Sequence, residues 1–218
     1  RGILENSILI VTSDHGELLG EHGAINHGAT VWEELFATPC IIHFPEKIDS
    51  GASTSRLTSA LDLVPTIFDL LDEEEWFKTK IVPDGISVLS SKAELEERFL
   101  VVDSPPAVLP ERLKEFLNLL FELSVIRRVV RTSKYKYIWQ SDGRHHLYLA
   151  GGAEEPENNL YGSMPDVAAE LHKKLLEFYE GIEDNFQIDQ YPVPLSRKVG
   201  AKMTDPAIRN ELRRLGYL

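Results

Sequence analysis

The sequence predicts an α/β chain in which a mostly parallel, mixed sheet is followed by a small antiparallel sheet packed by a helix. Three observations carry this. The run Ser7-Ile8-Leu9-Ile10-Val11-Thr12-Ser13 is apolar and β-branched and ends on the polar cluster Asp14-His15-Gly16. That is the pattern of a strand buried on both faces with functional groups at its carboxyl end. Helical apolar spacing recurs at 62–71 and 111–123, inside the first 124 residues. From Val125 the period shortens to that of strands over 125–131, 135–139 and 146–149, separated by Thr132-Ser133-Lys134 and the turn Ser141-Asp142-Gly143-Arg144. These three runs are expected to form a meander.

Each remaining element follows from local chemistry. Gly16, Gly20, Gly23 and Gly28 make the stretch after the first strand loop-like, and 30–35 reads as a short helix with Thr30 as its cap. Thr38-Pro39 stops it, and Cys40-Ile41-Ile42-His43-Phe44 is a second short strand in which Cys40 is expected to be a buried, unreactive thiol. Asp62 is placed to cap the helix over 62–71, Pro65 suits its first turn, and Leu63, Ile67, Leu70 and Leu71 form its apolar stripe. Leu100-Val101-Val102-Asp103 is a further strand. The helix over 111–123 carries Leu113, Phe116, Leu117, Leu120 and Phe121 on one side, and the helix over 165–179 draws on Leu171, Leu175, Leu176 and Phe178. A last helix is expected over 205–215. The division is therefore 1–124 as part of an α/β core, 125–191 as the small antiparallel sheet with its helix, and 192–218 as a tail.

Composition excludes whole classes of function. Across 218 residues, 23 Lys+Arg stand against 35 Asp+Glu, and the net charge of −12 repels a phosphate backbone, which argues against nucleic-acid binding. The single cysteine excludes disulfide scaffolds and zinc ribbons and permits a reducing cytoplasm. No apolar stretch approaches the roughly 20 residues of a membrane-spanning helix. Tyr135, Tyr137 and Trp139 alternate at strand spacing and are expected to pack the small sheet, whereas His145 and His146 beside a turn are expected at the surface. Glu33 and Glu34 are expected to cap or decorate their short helix.

One segment concentrates groups able to bind metals or move protons: Asp14, His15, Glu17, Glu21, His22 and His27, in a Gly-rich loop after the first strand. Adjacent residues point to opposite sides of a regular strand, but at its irregular end Asp14 and His15 can converge on one cation. The run Val11-Thr12-Ser13-Asp14-His15-Gly16-Glu17-Leu18-Leu19-Gly20-Glu21-His22-Gly23, followed by Trp32-Glu33-Glu34-Leu35 and Thr38-Pro39, resembles the C-terminal metal-ligand segment of sulfatases. Other blocks fit in order: Asp62-Leu63-Val64-Pro65-Thr66, then Arg131-Thr132-Ser133-Lys134-Tyr135-Lys136-Tyr137. Leu147-Tyr148-Leu149 ahead of Asn158-Asn159-Leu160 and the terminal Leu215-Gly216-Tyr217-Leu218 complete them.

The resemblance implies a fold of the alkaline phosphatase superfamily, a sandwich of which this chain is the C-terminal part. It implies that Asp14 and His15 are two ligands of a divalent cation, calcium first, with magnesium or manganese as alternatives. Thirteen positions after Asp14, sulfatases commonly carry a Lys that contacts the sulfate oxygens; here the residue is His27. An imidazolium there could stabilise an anionic oxygen and protonate a leaving group, which makes His27 the candidate catalytic and substrate-binding residue and leaves sulfate and phosphorus esters both open. His22 is a second candidate for substrate contact or for positioning the loop. The family nucleophile is a formylglycine made from a Cys or Ser in a Cys/Ser-X-Pro/Ala-X-Arg motif. Neither Cys40-Ile41-Ile42-His43 nor Ser104-Pro105-Pro106-Ala107-Val108 matches it. The expectation is a C-terminal portion of a sulfatase-like hydrolase acting on an anionic ester, inactive without its N-terminal portion. A non-catalytic module that binds a partner or an anion is the alternative.

Overall fold

The computed structural model describes residues 2–27, 30–73, 85–91, 98–104 and 125–180. The helices expected over 111–123 and 205–215 and the tail lie outside them. In chain order the described strands are β1 (Leu9–Thr12), β2 (Leu18–Leu19), β3 (Ile25–Asn26), β4 (Cys40–His43), β5 (Leu100–Ser104), β6 (Arg127–Arg131), β7 (Tyr135–Gln140) and β8 (His146–Leu149). The described α-helices are α1 (Glu33–Phe36), α2 (Leu63–Leu70) and α3 (Pro165–Glu180). The chain divides into two compact units, Arg1–His15 with Thr38–Leu100, and Gly16–Ala37 with Val101–Leu218.

In the first unit β1 pairs antiparallel with β4, Leu9 opposite His43 and Thr12 opposite Cys40. The expectation of a strand buried on both faces in a parallel setting is corrected here: Leu9, Val11 and Ile41 are 44%, 48% and 61% exposed. An unbroken apolar run states how much a strand has to bury but not which strand it pairs with or what covers it. Cys40 is likewise corrected, since it is an exposed free thiol on β4. The helix over 62–71 forms as α2, with Leu70 buried and Leu71 exposed. Asp62 does not cap α2 by a side-chain bond; it closes a capping box with Ser59 one turn earlier. Its fully buried carboxylate accepts from the amides of Ser59 and Ile86 at 2.8 and 2.9 Å and from the Arg98 guanidinium at 2.7 Å. Three donors on one carboxylate compensate its removal from water.

The second unit is built on a four-stranded sheet of order β5-β6-β7-β8. The expected meander is present, antiparallel from β6 to β8, and β5 extends it by one strand. Val129, Ile138 and Tyr148 of the sheet enclose Val31, with Val102 packed against them. Helix α3 buries Ala168, Leu171 and Leu175, while Leu176 and Phe178 are exposed, contrary to their expected place in the core. The side chains of residues 175 and 176 diverge by about 100° around a helix, so only one of the two leucines can face the sheet. Asn159 joins the two blocks predicted around it: its carboxamide oxygen accepts from the Leu147 and Tyr161 amides, each at 3.0 Å.

His145 and His146 are half-buried, not at the surface. The His145 ring lies against Trp139 and Tyr161, and Tyr137 meets His172 of α3 at 3.1 Å between Oη and Nδ1. Desolvation, reinforced for His145 by His172 and for His146 by Arg144, pulls both imidazoles below their ordinary range. Burial, with repulsion from Glu154 and Glu155, pushes the Tyr148 hydroxyl up to about 12.

Candidate active-site loop

Beyond β1 the chain enters the Asp14-His15-Gly16 turn. The Asp14 carboxylate accepts from the His15 amide at 3.0 Å, and its second oxygen lies 3.8 Å from His15 Nε2. A carboxylate oxygen and a ring nitrogen at that separation could both reach one cation. Gly16 then passes close to α1. Its amide donates to the Leu35 carbonyl at 2.9 Å, and a β-carbon on it would stand 1.8 Å from the Glu34 carbonyl oxygen.

The Gly-rich segment folds as a hairpin. In it β2 pairs with β3, Leu18 opposite Asn26 and Leu19 opposite Ile25. One step outward, that register sets Glu17 across from His27, and Glu17 Oε2 meets His27 Nδ1 at 3.2 Å. A carboxylate only accepts, so Nδ1 carries the proton in this bond and the imidazole orientation is defined. The side chains of His27 and Glu17 are 59% and 42% exposed, so the pair is open to a solute. At the turn, Glu21 accepts from the Leu19 amide at 2.6 Å, and with its own backbone amide this holds its carboxyl below the ordinary value.

His22 sits at the tip of the hairpin, away from that open end. Its ring stacks on Trp32 at 4.1 Å and 14°, with Nε2 3.2 Å from Glu34 and Nδ1 3.6 Å from Glu155. Its neighbour in α1, Glu33, takes the Arg131 guanidinium at 2.9 Å and Lys136 Nζ at 3.3 Å. Burial opposes ionisation of Glu33, but the hydrogen bonds and charges of Arg131 and Lys136 prevail and hold its carboxyl below the ordinary value. Glu33 and Glu34 thus tie α1 to the sheet and the hairpin, correcting their reading as decoration. Sequence reasoning missed the Glu17–His27 pairing as well. The signal was present in the two glycines, Gly20 and Gly23, which centre a hairpin whose register makes residues 17 and 27 partners.

The chain is similar to known sulfatases and to phosphonate hydrolases. The sulfatase family model matches residues 1–73. The uncharacterized sulfatase YidJ of Escherichia coli is 28% identical over 197 residues, covering 89% of this chain and 36% of that protein. The N-acetylglucosamine-6-O-sulfatase of Bacteroides thetaiotaomicron is 28% identical over 186 residues, covering 84% of this chain and 30% of that protein. Among solved structures, the phosphonate monoester hydrolase of Silicibacter pomeroyi superposes with a TM-score of 0.58 at 24% identity, covering 79% of this chain and 34% of that one. The fold is therefore of the alkaline-phosphatase-like class. The matches to YidJ and the glucosamine sulfatase, together with the family-model match over 1–73, make this chain similar to sulfatases over most of its length. It spans about a third of the length of these relatives.

Proposed function

We propose that this chain is the C-terminal portion of a metal-dependent hydrolase that cleaves sulfate esters, supplying two metal ligands and one anion-contacting residue to the site. The observation that carries this reading is the Asp14-His15-Gly16-Glu17 segment, where a paired carboxylate and imidazole precede the hydrogen-bonded Glu17 and His27. Asp14 and His15 would hold the divalent cation, calcium first and magnesium or manganese as alternatives. That cation, when bound, supplies positive charge to the ester oxygens. Glu17 fixes the proton of His27 on Nδ1 and orients the ring. His27, when protonated, presents a second donor to an anionic oxygen and can release that proton to the departing alcohol. The formylglycine nucleophile would come from sequence outside these 218 residues, since no Cys or Ser here carries its motif. In this reading His22 supports the loop and does not touch the substrate.

A second reading keeps the site and changes the substrate to a phosphonate or phosphodiester. It is favoured by His27 standing where sulfatases commonly carry Lys, since this departure touches the group that contacts the ester oxygens. A non-catalytic anion-binding module is the remaining alternative. The deciding experiment uses the protein that contains this chain together with the nucleophile. Asp14→Ala should lower bound divalent metal and aryl sulfate turnover together, and unchanged metal content removes the ligand assignment. Turnover of a phosphonate monoester in preference to the aryl sulfate selects the second reading, and turnover of neither selects the module.

A further inference from the structure

Two basic side chains in the second unit each lie between a pair of glutamates from the same two elements. Lys136 lies between Glu33 of α1 and Glu154 of the loop after β8, at 3.3 and 2.7 Å. His22 lies between the next residues of the same two elements, Glu34 and Glu155, at 3.2 and 3.6 Å. The two bridges run side by side from α1 to the 154–155 loop. One is carried by a lysine ammonium and the other by an imidazole ring.

The backbone at His22 indicates that its side chain holds the turn. His22 has φ 54° between Gly20 at φ 134° and Gly23 at φ 70°. A left-handed conformation costs a residue with a β-carbon, and it persists where surrounding contacts over-determine it. Those contacts are the Trp32 stack and the two carboxylates, and the His22 side chain is only 10% exposed. Nε2 is within hydrogen-bond distance of the Glu34 carboxylate, at 3.2 Å, while Nδ1 faces Glu155 at 3.6 Å, beyond it. The turn closes β2 onto β3, and the register of that ladder places Glu17 against His27.

We propose that His22 is the positioning residue of the 16–27 hairpin, its ring stacked on Trp32 and set between the carboxylates of Glu34 and Glu155, and so setting where Glu17 and His27 stand at its open end. The bridge stands on geometry alone, and only its consequence for ester binding rests on the role proposed for His27. The charged groups facing His22 are Glu21 on its own turn, Glu34 on α1 and Glu155 after β8. Glu33, Glu154, Lys136 and Arg131 form the adjoining bridge.

The test is amide hydrogen exchange on the protein that contains this chain, corrected for intrinsic rates, read at the hydrogen-bonded amides of Leu19, Gly23 and Ala24. Loss of one part-buried charged bridge should speed exchange there about five- to tenfold in His22→Gln, with the β6–β8 amides unchanged. Should His22→Gln also loosen the sheet, Glu155→Gln removes one flanking charge and keeps the ring and its stack, and should still reduce protection of the turn. Equal protection of the turn in wild type and both variants overturns the proposal. Neither result depends on turnover, so an inactive parent protein would remove the hydrolase reading and leave this one in place.

Discussion

Lys136 Nζ reaches both carboxylate oxygens of Glu154, at 2.7 and 2.9 Å, with 1% and 3% of the two side chains exposed. Such a pair is retained only with its partners complete, because each charge alone would lie buried without compensation. Lys136→Met should therefore destabilise the chain by about 3–5 kcal/mol, whereas Lys136→Met with Glu154→Leu should recover most of the loss. Urea denaturation of the two variants beside the wild type measures both. A double variant as unstable as the single one would show that the pair's contribution is packing and not charge.

Acid should loosen the small-sheet region through His145 and His146. Both are lowered by burial in the folded state, so the unfolded chain binds protons more tightly than the folded one. Stability from these groups is complete above the ordinary histidine value of 6.5 and is lost as pH falls below it toward the folded values. Glu154, raised by burial, acts in the opposite sense above the ordinary carboxylate value of 4.5. The histidines are therefore read from a comparison: the fall in Tm between pH 7.5 and pH 5.5 should be smaller in His145→Gln than in wild type. Each kcal/mol lost corresponds to about 2–4 °C for a chain of this size. Equal slopes would show that burial of His145 carries no proton linkage.

Gly16 admits no side chain. With a β-carbon set 1.8 Å from the Glu34 carbonyl oxygen, Gly16→Ala forces Gly16 and α1 apart. Overpacking of this kind costs about 1–3 kcal/mol. Gly162→Ala, where nothing stands within 4 Å, serves as the control and should be nearly neutral. A circular-dichroism melt of each variant decides it, and a Gly16→Ala protein as stable as the control would show that the turn can move without penalty.

The candidate residues were legible because their signals are local. Asp14 and His15 follow an apolar run and His27 stands 13 positions on, so composition and spacing along 27 residues mark the proposed site, whereas the Glu17–His27 bond came only with the fold. The meander and the long helix were equally legible, since strand and helix periods are properties of contiguous residues. The ionic ties were not. Glu33 meets Arg131, 98 residues later, and no spacing rule connects them.

By itself, the sequence determined the order and period of the elements, the candidate ligands and the absence of the nucleophile motif, because each is written in neighbouring residues. Only the tertiary structure decided that β1 lies antiparallel to β4 with apolar side chains exposed, and that Asp62 serves a capping box and a buried arginine. It also decided that His22 and Lys136 bridge the same two elements. Burial and ion pairing depend on which distant segments meet, and a chain's local pattern states what must be satisfied without naming the partner that satisfies it.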